Sequence, residues 1–271
     1  MRFILPALVT VTVLSGASAH AASLADCINS ADPEAAVAAC AKVIEAPGTP
    51  AKDLFAARLE RAQAYAVIGD YDYAGKDYDA ALKIDPSSVE ALYARGQFRV
   101  ARQDRDSAIE DFTAAIALAP SDPKLYIERG LTLFRNMKYD AAIADQTAAI
   151  KLLPDDTLPL NARSCALIHK GDYAAAIADA ERAISLAPDK AFGYINRATA
   201  NAKMGANKAA LRDYDKAVDL EPDSHVAYGA RFSYYVEHGM SGEAQRDTKK
   251  LSYTTEDQVV LWRSYGVACS I

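Results

Sequence analysis

The chain has 271 residues, 51% of them hydrophobic, and a formal net charge of −6. That composition supports a buried core and excludes a wholly disordered chain. The acidic balance also argues against a nucleic-acid partner, because phosphate binding needs clustered basic surface.

Met1 and Arg2, the apolar run Phe3 to Leu14, and small residues through Ala21 read together as a secretory signal peptide over residues 1–21. About 12 apolar residues, interrupted by Pro6, fall short of the ~20 that span a bilayer, so no stable membrane insertion is expected after cleavage. Cleavage could follow Ala19 or Ala21. A lipidated Cys27 is the weaker alternative, because Asp26 stands where a small residue is required. Loss of Arg2 removes one of the 30 Lys and Arg residues and none of the 36 Asp and Glu, so the mature chain is slightly more acidic. Export is the expected route, to a periplasm in the first instance, with secretion to the medium as the alternative.

Residues 22–54 are expected to form an N-terminal helical cap. Cys27 and Cys40 flank a turn, Asn29 to Pro33, with Pro33 at a helix start. In an oxidising compartment these two cysteines are expected to pair, stapling two short helices at up to ~3 kcal/mol of stabilisation.

From residue 55 to 251 the chain is punctuated by Pro86, Pro120, Pro154, Pro188 and Pro222, evenly spaced with a period of ~34 residues. With each proline set at position 32 of a frame of that length, full repeats begin at Phe55, Val89, Pro123, Thr157 and Ala191, and a degenerate sixth begins at His225. Position 20 holds Ala74, Ala108, Ala142, Ala176, Ala210 and Ala244. Position 27 holds Ala81, Ala115, Ala149, Ala183 and Ala217, and position 8 holds Ala62, Gly96, Gly130, Ser164 and Ala198. Smallness recurring in register marks close helix crossings, where axes roughly 8 to 10 Å apart leave no room for long side chains. Gly69-Asp70, Gly171-Asp172 and Gly239 fall midway, where glycine ends one helix and a polar residue starts the next. Each repeat is therefore expected to be an antiparallel helical hairpin.

This pattern resembles the tetratricopeptide repeat family, well over residues 55 to 222 and loosely over 225 to 251. The resemblance implies an all-α fold, a right-handed α-solenoid of stacked hairpins with helical caps. It also implies a concave groove lined by the first helix of each repeat, which binds a peptide or partner protein and carries no chemistry of its own.

One departure from the family pattern is systematic. Position 7, usually Leu, holds Arg61, Arg95, Arg129, Arg163, Arg197 and Arg231, and position 23 holds Asp77, Asp111, Asp145, Asp179, Asp213 and Asp247. The constant separation of these two positions, with the hairpin turn midway between them, predicts a salt bridge in each repeat, shared in part with its neighbour. An anion-binding arginine stripe is the alternative, but a matching Asp in every repeat argues that each charge is already neutralised.

Residues 252–271 are expected to form a C-terminal capping helix and tail, starting at Thr254 to Asp257 and carrying Trp262 as a packed residue. Cys165 and Cys269 are expected to be free thiols, since a bridge between them would require the tail to fold back.

No catalytic constellation appears. Asp70 to Gly75 opens like a calcium loop, but Ala81 stands where a bidentate Glu is required. The four histidines lack metal-ligand spacing, so neither a metal nor a cofactor is expected, and the chain is read as a non-enzyme. Positions that face the groove in the family carry Tyr93, Gln97, Ile127, Leu131, Phe134, Arg135, Ile168, His169, Phe192 and Ile195. These are the candidate binding residues, and packing against neighbouring helices is the alternative for each. The expected function is an exported scaffold holding an extended peptide or partner protein. A self-associating structural protein of the cell envelope, a homo-oligomer stacking through an end, is the alternative, and an undetected enzyme is the remoter one.

Overall fold

A computed structural model describes residues 24–251, which divide into one unit ending at Phe98 and another beginning at Arg99. The expected signal peptide over 1–21 and the expected capping helix and tail over 252–271, with Trp262 and Cys269, lie outside the described residues. The fold class is all-α, and no strand occurs among the described residues.

In the N-terminal unit a helical segment over 24–28 precedes α1 (Pro33–Glu45), where Asp32 accepts a hydrogen bond from the Glu34 N–H. Cys27 and Cys40 form a disulfide, and with Val43 and Ala57 they build a small core against α2. Helix α2 (Ala51–Ile68) begins ahead of the expected repeat start at Phe55, since Ala51 to Leu54 contain no breaker and Asp53 suits a helix N-terminus. It pairs with α3 (Tyr71–Ile84), and α4 (Val89–Ala101) brings Phe98 against Tyr78, with ring centroids 5.3 Å apart.

The second unit takes in the end of α4 and continues with α5 (Arg105–Leu118), α6 (Pro123–Arg135), α7 (Tyr139–Leu152), α8 (Thr157–Lys170), α9 (Tyr173–Leu186), α10 (Ala191–Lys203), α11 (Asn207–Leu220), α12 (His225–Glu237) and α13 (Ser241–Leu251). The first helices start at Val89, Pro123, Thr157, Ala191 and His225, the residues at which the proline frame opens its repeats. The copy that begins at His225 also folds as a hairpin, α12 against α13, in which the crossing residue Ala244 and the charged pair are retained.

The prolines act one residue upstream. Asp85, Ala119, Leu153, Ala187 and Glu221 each precede a proline, and all have ψ between 68° and 92°, outside the helical range. Clash with the proline ring excludes the helical conformation there, so each second helix stops in register. Side chains of Ser88, Asp122, Asp156 and Ser224 then cap the next helix.

The hairpin turn places position 15 in the left-handed region in every repeat. Gly69, Gly171, Gly205 and Gly239 meet this without strain, but Gln103 (φ 64°) and Met137 (φ 57°) hold the same conformation with a Cβ. Met137 is 75% exposed, so its side chain contributes little packing. Met137→Gly should therefore raise stability by about 0.5–1 kcal/mol, the relieved strain outweighing the added freedom of the unfolded chain. Thermal melting checks this, and a lower midpoint would contradict it.

Candidate partner-binding surface

The expected salt bridges form within each unit as two-pronged contacts. Arg61 Nε and Nη2 donate to Asp77 at 2.6 and 3.0 Å, and Arg129, Arg163, Arg197 and Arg231 do the same to Asp145, Asp179, Asp213 and Asp247 at 2.6 to 2.9 Å. Arg95 and Asp111 belong to different units; within its own, Arg95 pairs with Asp79 and Asp111 receives Arg99.

The remaining guanidinium nitrogen reaches back to the preceding repeat. Arg129 Nη1 donates to Thr113 and Arg163 Nη1 to Thr147, both at 3.0 Å. Arg231 Nη1 donates to Asp215 at 2.8 Å, and Arg197 Nη1 lies 3.8 Å from Glu181. Each arginine thus joins two successive second helices. The hydrogen bonds to Asp145, Asp179 and Asp213 push the pKa of Arg129, Arg163 and Arg197 above the ordinary arginine value. The planar fork suits this shared geometry in a way a lysine could not reproduce. With their charges matched, these arginines are structural staples.

In the second unit the first helices form an inner layer. Helix α6 touches α8, α8 touches α10 and α10 touches α12, whereas successive second helices make no comparable contact. Asn196 on α10 donates to the main-chain carbonyl of Asn161 on α8 at 3.1 Å, tying that layer internally. Closer approach on one side makes it the inside of the curve.

The candidate residues divide over this layer. Ile127, Leu131, Ile168 and Ile195 lie inside the fold, Ile195 with no exposed surface, and each belongs to a hydrophobic cluster between helices. For these four the packing alternative describes what the structure shows: the small residues opposite them let the helices approach until the branched side chains are covered. Phe134, Arg135 and Phe192 are half-buried, and His169 is exposed. Tyr93 and Gln97, in the N-terminal unit, are hydrogen-bonded to each other, the Gln97 amide donating to the Tyr93 hydroxyl at 2.7 Å.

Phe134 and His169 come together. The His169 ring meets Phe134 edge-on, with centroids 5.2 Å apart, and stacks on Tyr139 at the same separation. Although the residue keeps an exposed surface, desolvation of its ring beside Phe134 and Tyr139, and then the Lys203 charge, lower the His169 pKa below the usual histidine value. Tyr139 is not among the residues at groove-facing positions. Its role beside the next repeat's His169 follows from stacking, which a repeat alignment does not display.

Cys165 departs from the expectation of a free thiol: it is disulfide-bonded. Its side chain is only 1% exposed, in a cluster with Leu167, Ile168, Ala176 and Ala200, and burial of this kind suits a bonded sulfur as well as a thiol. Among the described residues no group of His, Cys, Asp and Glu is arranged to hold a metal ion, and no helix is long and apolar enough to cross a membrane.

The tetratricopeptide repeat family matches residues 93–157, and a second match to it covers 160–190. Among solved structures, a tetratricopeptide repeat protein from Parabacteroides merdae aligns with a TM-score of 0.73 at 17% identity, over 93% of this chain and 98% of its own. YrrB, described as a TPR protein with an unusual peptide-binding site, aligns with a TM-score of 0.59 at 23% identity, over 72% of this chain and 98% of its own. MamA aligns with a TM-score of 0.58 at 24% identity, over 62% of this chain and 92% of its own. At these identities the likeness is one of fold. No curated protein sequence matches the chain.

Proposed function

Since the chain belongs to the tetratricopeptide repeat family, we infer that it is a protein-interaction scaffold whose inner layer of first helices holds an extended peptide or a segment of a partner protein. The observation that carries this reading is the contact of α6, α8 and α10 with one another, which sets Phe134, His169 and Phe192 on one continuous layer. Aromatic anchors with a few polar groups between them are what an extended segment needs for both affinity and register.

Export to an oxidising compartment is part of the same proposal. Its support is the signal-like segment 1–21, the Cys27–Cys40 disulfide and the bonded state of Cys165.

Affinity capture from native envelope extract tests the reading, comparing the wild-type chain with a Phe134→Ala, Phe192→Ala variant whose circular dichroism confirms that it is folded. The variant should lose the principal captured protein. Identical capture by both would overturn the placement of the site on this layer.

A further inference from the structure

Position 13, the last turn of the first helix, is Arg135, His169 and Lys203 in three successive repeats. Their helices α6, α8 and α10 are neighbours in the inner layer. The Lys203 charge depresses the His169 pKa after burial has done so, which sets those two side chains within electrostatic reach, and Arg135 is lowered by burial, opposed by Glu128 and reinforced by Arg105. An anion seated against this row would reverse that depression and favour the charged form of His169. Such a basic row is unexpected on a chain of net charge −6, and it is separate from the arginine staples at position 7, which hold aspartates.

Carboxylates also stand beside the row. Glu128 acts on Arg135, and Glu237 lies 3.3 Å from the Lys203 ammonium. The latter pair is exposed at both ends, 44% and 56% for the two side chains, and an exposed pair is readily exchanged for another anion. The rings of Phe134 and Tyr139 complete the surroundings, both centred 5.2 Å from the His169 ring.

We propose that Arg135, His169 and Lys203 select an acidic peptide, one carboxylate per repeat, with an aromatic or large apolar side chain of that peptide seated beside Phe134 and Tyr139. This rests on the inner layer being the binding surface and adds the chemistry of its ligand. Neighbouring helices lie about 8–10 Å apart and an extended chain advances about 3.3 Å per residue, so the carboxylates should recur at about every third residue.

The probe is a fluorescein-labelled heptapeptide, Glu-Ser-Phe-Glu-Ser-Ser-Glu, compared by fluorescence anisotropy at mildly acidic pH with its Gln-for-Glu counterpart and with a scrambled form carrying the three Glu in succession. The spaced acidic peptide should bind at least tenfold more tightly than the Gln form at low salt, lose that advantage as salt rises, and outbind the scrambled form. Lys203→Glu and His169→Gln, both at exposed positions, should each weaken the acidic peptide several-fold, and Lys203→Glu should do so without weakening the Gln form. If the Gln peptide binds as tightly as the acidic one, charge selection is wrong although the inner layer still binds peptide. Unchanged affinity in Lys203→Glu would place the acidic peptide elsewhere and overturn the assignment. So would the failure of all three peptides to bind, with the capture experiment then judging the surface by itself. A single-stranded oligonucleotide that competes as well as the peptide would mark a general polyanion site and overturn it too.

Discussion

Arg129→Met should destabilise the protein by about 3–5 kcal/mol, because it leaves Asp145 with its partner gone at 5% exposure. The Asp145 carboxylate receives two of the Arg129 nitrogens, at 2.8 and 2.7 Å, and cannot regain water without opening the hairpin. The third nitrogen holds Thr113 of the preceding repeat, so the single change also loosens the stack. The double variant Arg129→Met, Asp145→Leu removes both charges and should recover most of the loss, since well-packed apolar residues often replace a buried pair at little cost. Urea unfolding followed by circular dichroism reads both. A harmless single change with a worse double change would show that the two side chains do not act as a pair.

Ala176→Leu should cost about 3 kcal/mol through overpacking. Ala176 has no exposed surface, and its carbonyl accepts a hydrogen bond from the buried Ser164 hydroxyl at 2.8 Å, so the two helices of this hairpin meet there with no space for a branched side chain. Adjacent residues of the repeat cannot shift to make room, since Cys165, Ile168 and Ala200 close the same cluster. Ala174, exposed on the same helix, supplies the control: Ala174→Leu should change stability by about 0.5 kcal/mol or less. Equal effects at the two sites would mean that position 20 is small for some reason other than crossing distance.

The fold was legible because its signals are local and repeated. A proline recurring once per repeat forces a stop at the residue before it, and a small residue at positions 8, 20 and 27 permits a crossing, so Val89, Pro123, Thr157 and Ala191 could be placed as helix starts without tertiary information. The Arg–Asp pairs were legible for the same reason. Their second contact was less so: the residues that Arg95, Arg129, Arg163 and Arg231 reach in the preceding repeat are Asp79, Thr113, Thr147 and Asp215, alike as acceptors but not in identity.

The proposed binding surface was legible in part. Family position marks Ile127, Leu131, Ile168 and Ile195 as facing the groove, yet how far such a side chain sinks depends on the neighbouring helix, and here Ala162 and Ala149 draw the helices over Ile127 and Leu131. The basic row at position 13 was hidden because Arg135, His169 and Lys203 share charge type and not residue type.

The most direct test of the inner layer as the partner-binding surface is site-specific photocrosslinking, with benzoylphenylalanine placed at Phe192 on α10 or at Leu152, which is 40% exposed at the end of α7. Adducts to a partner should form from position 192 and not from 152. Adducts from 152 alone, with none from 192, would contradict the inner layer as the place where this scaffold holds its partner.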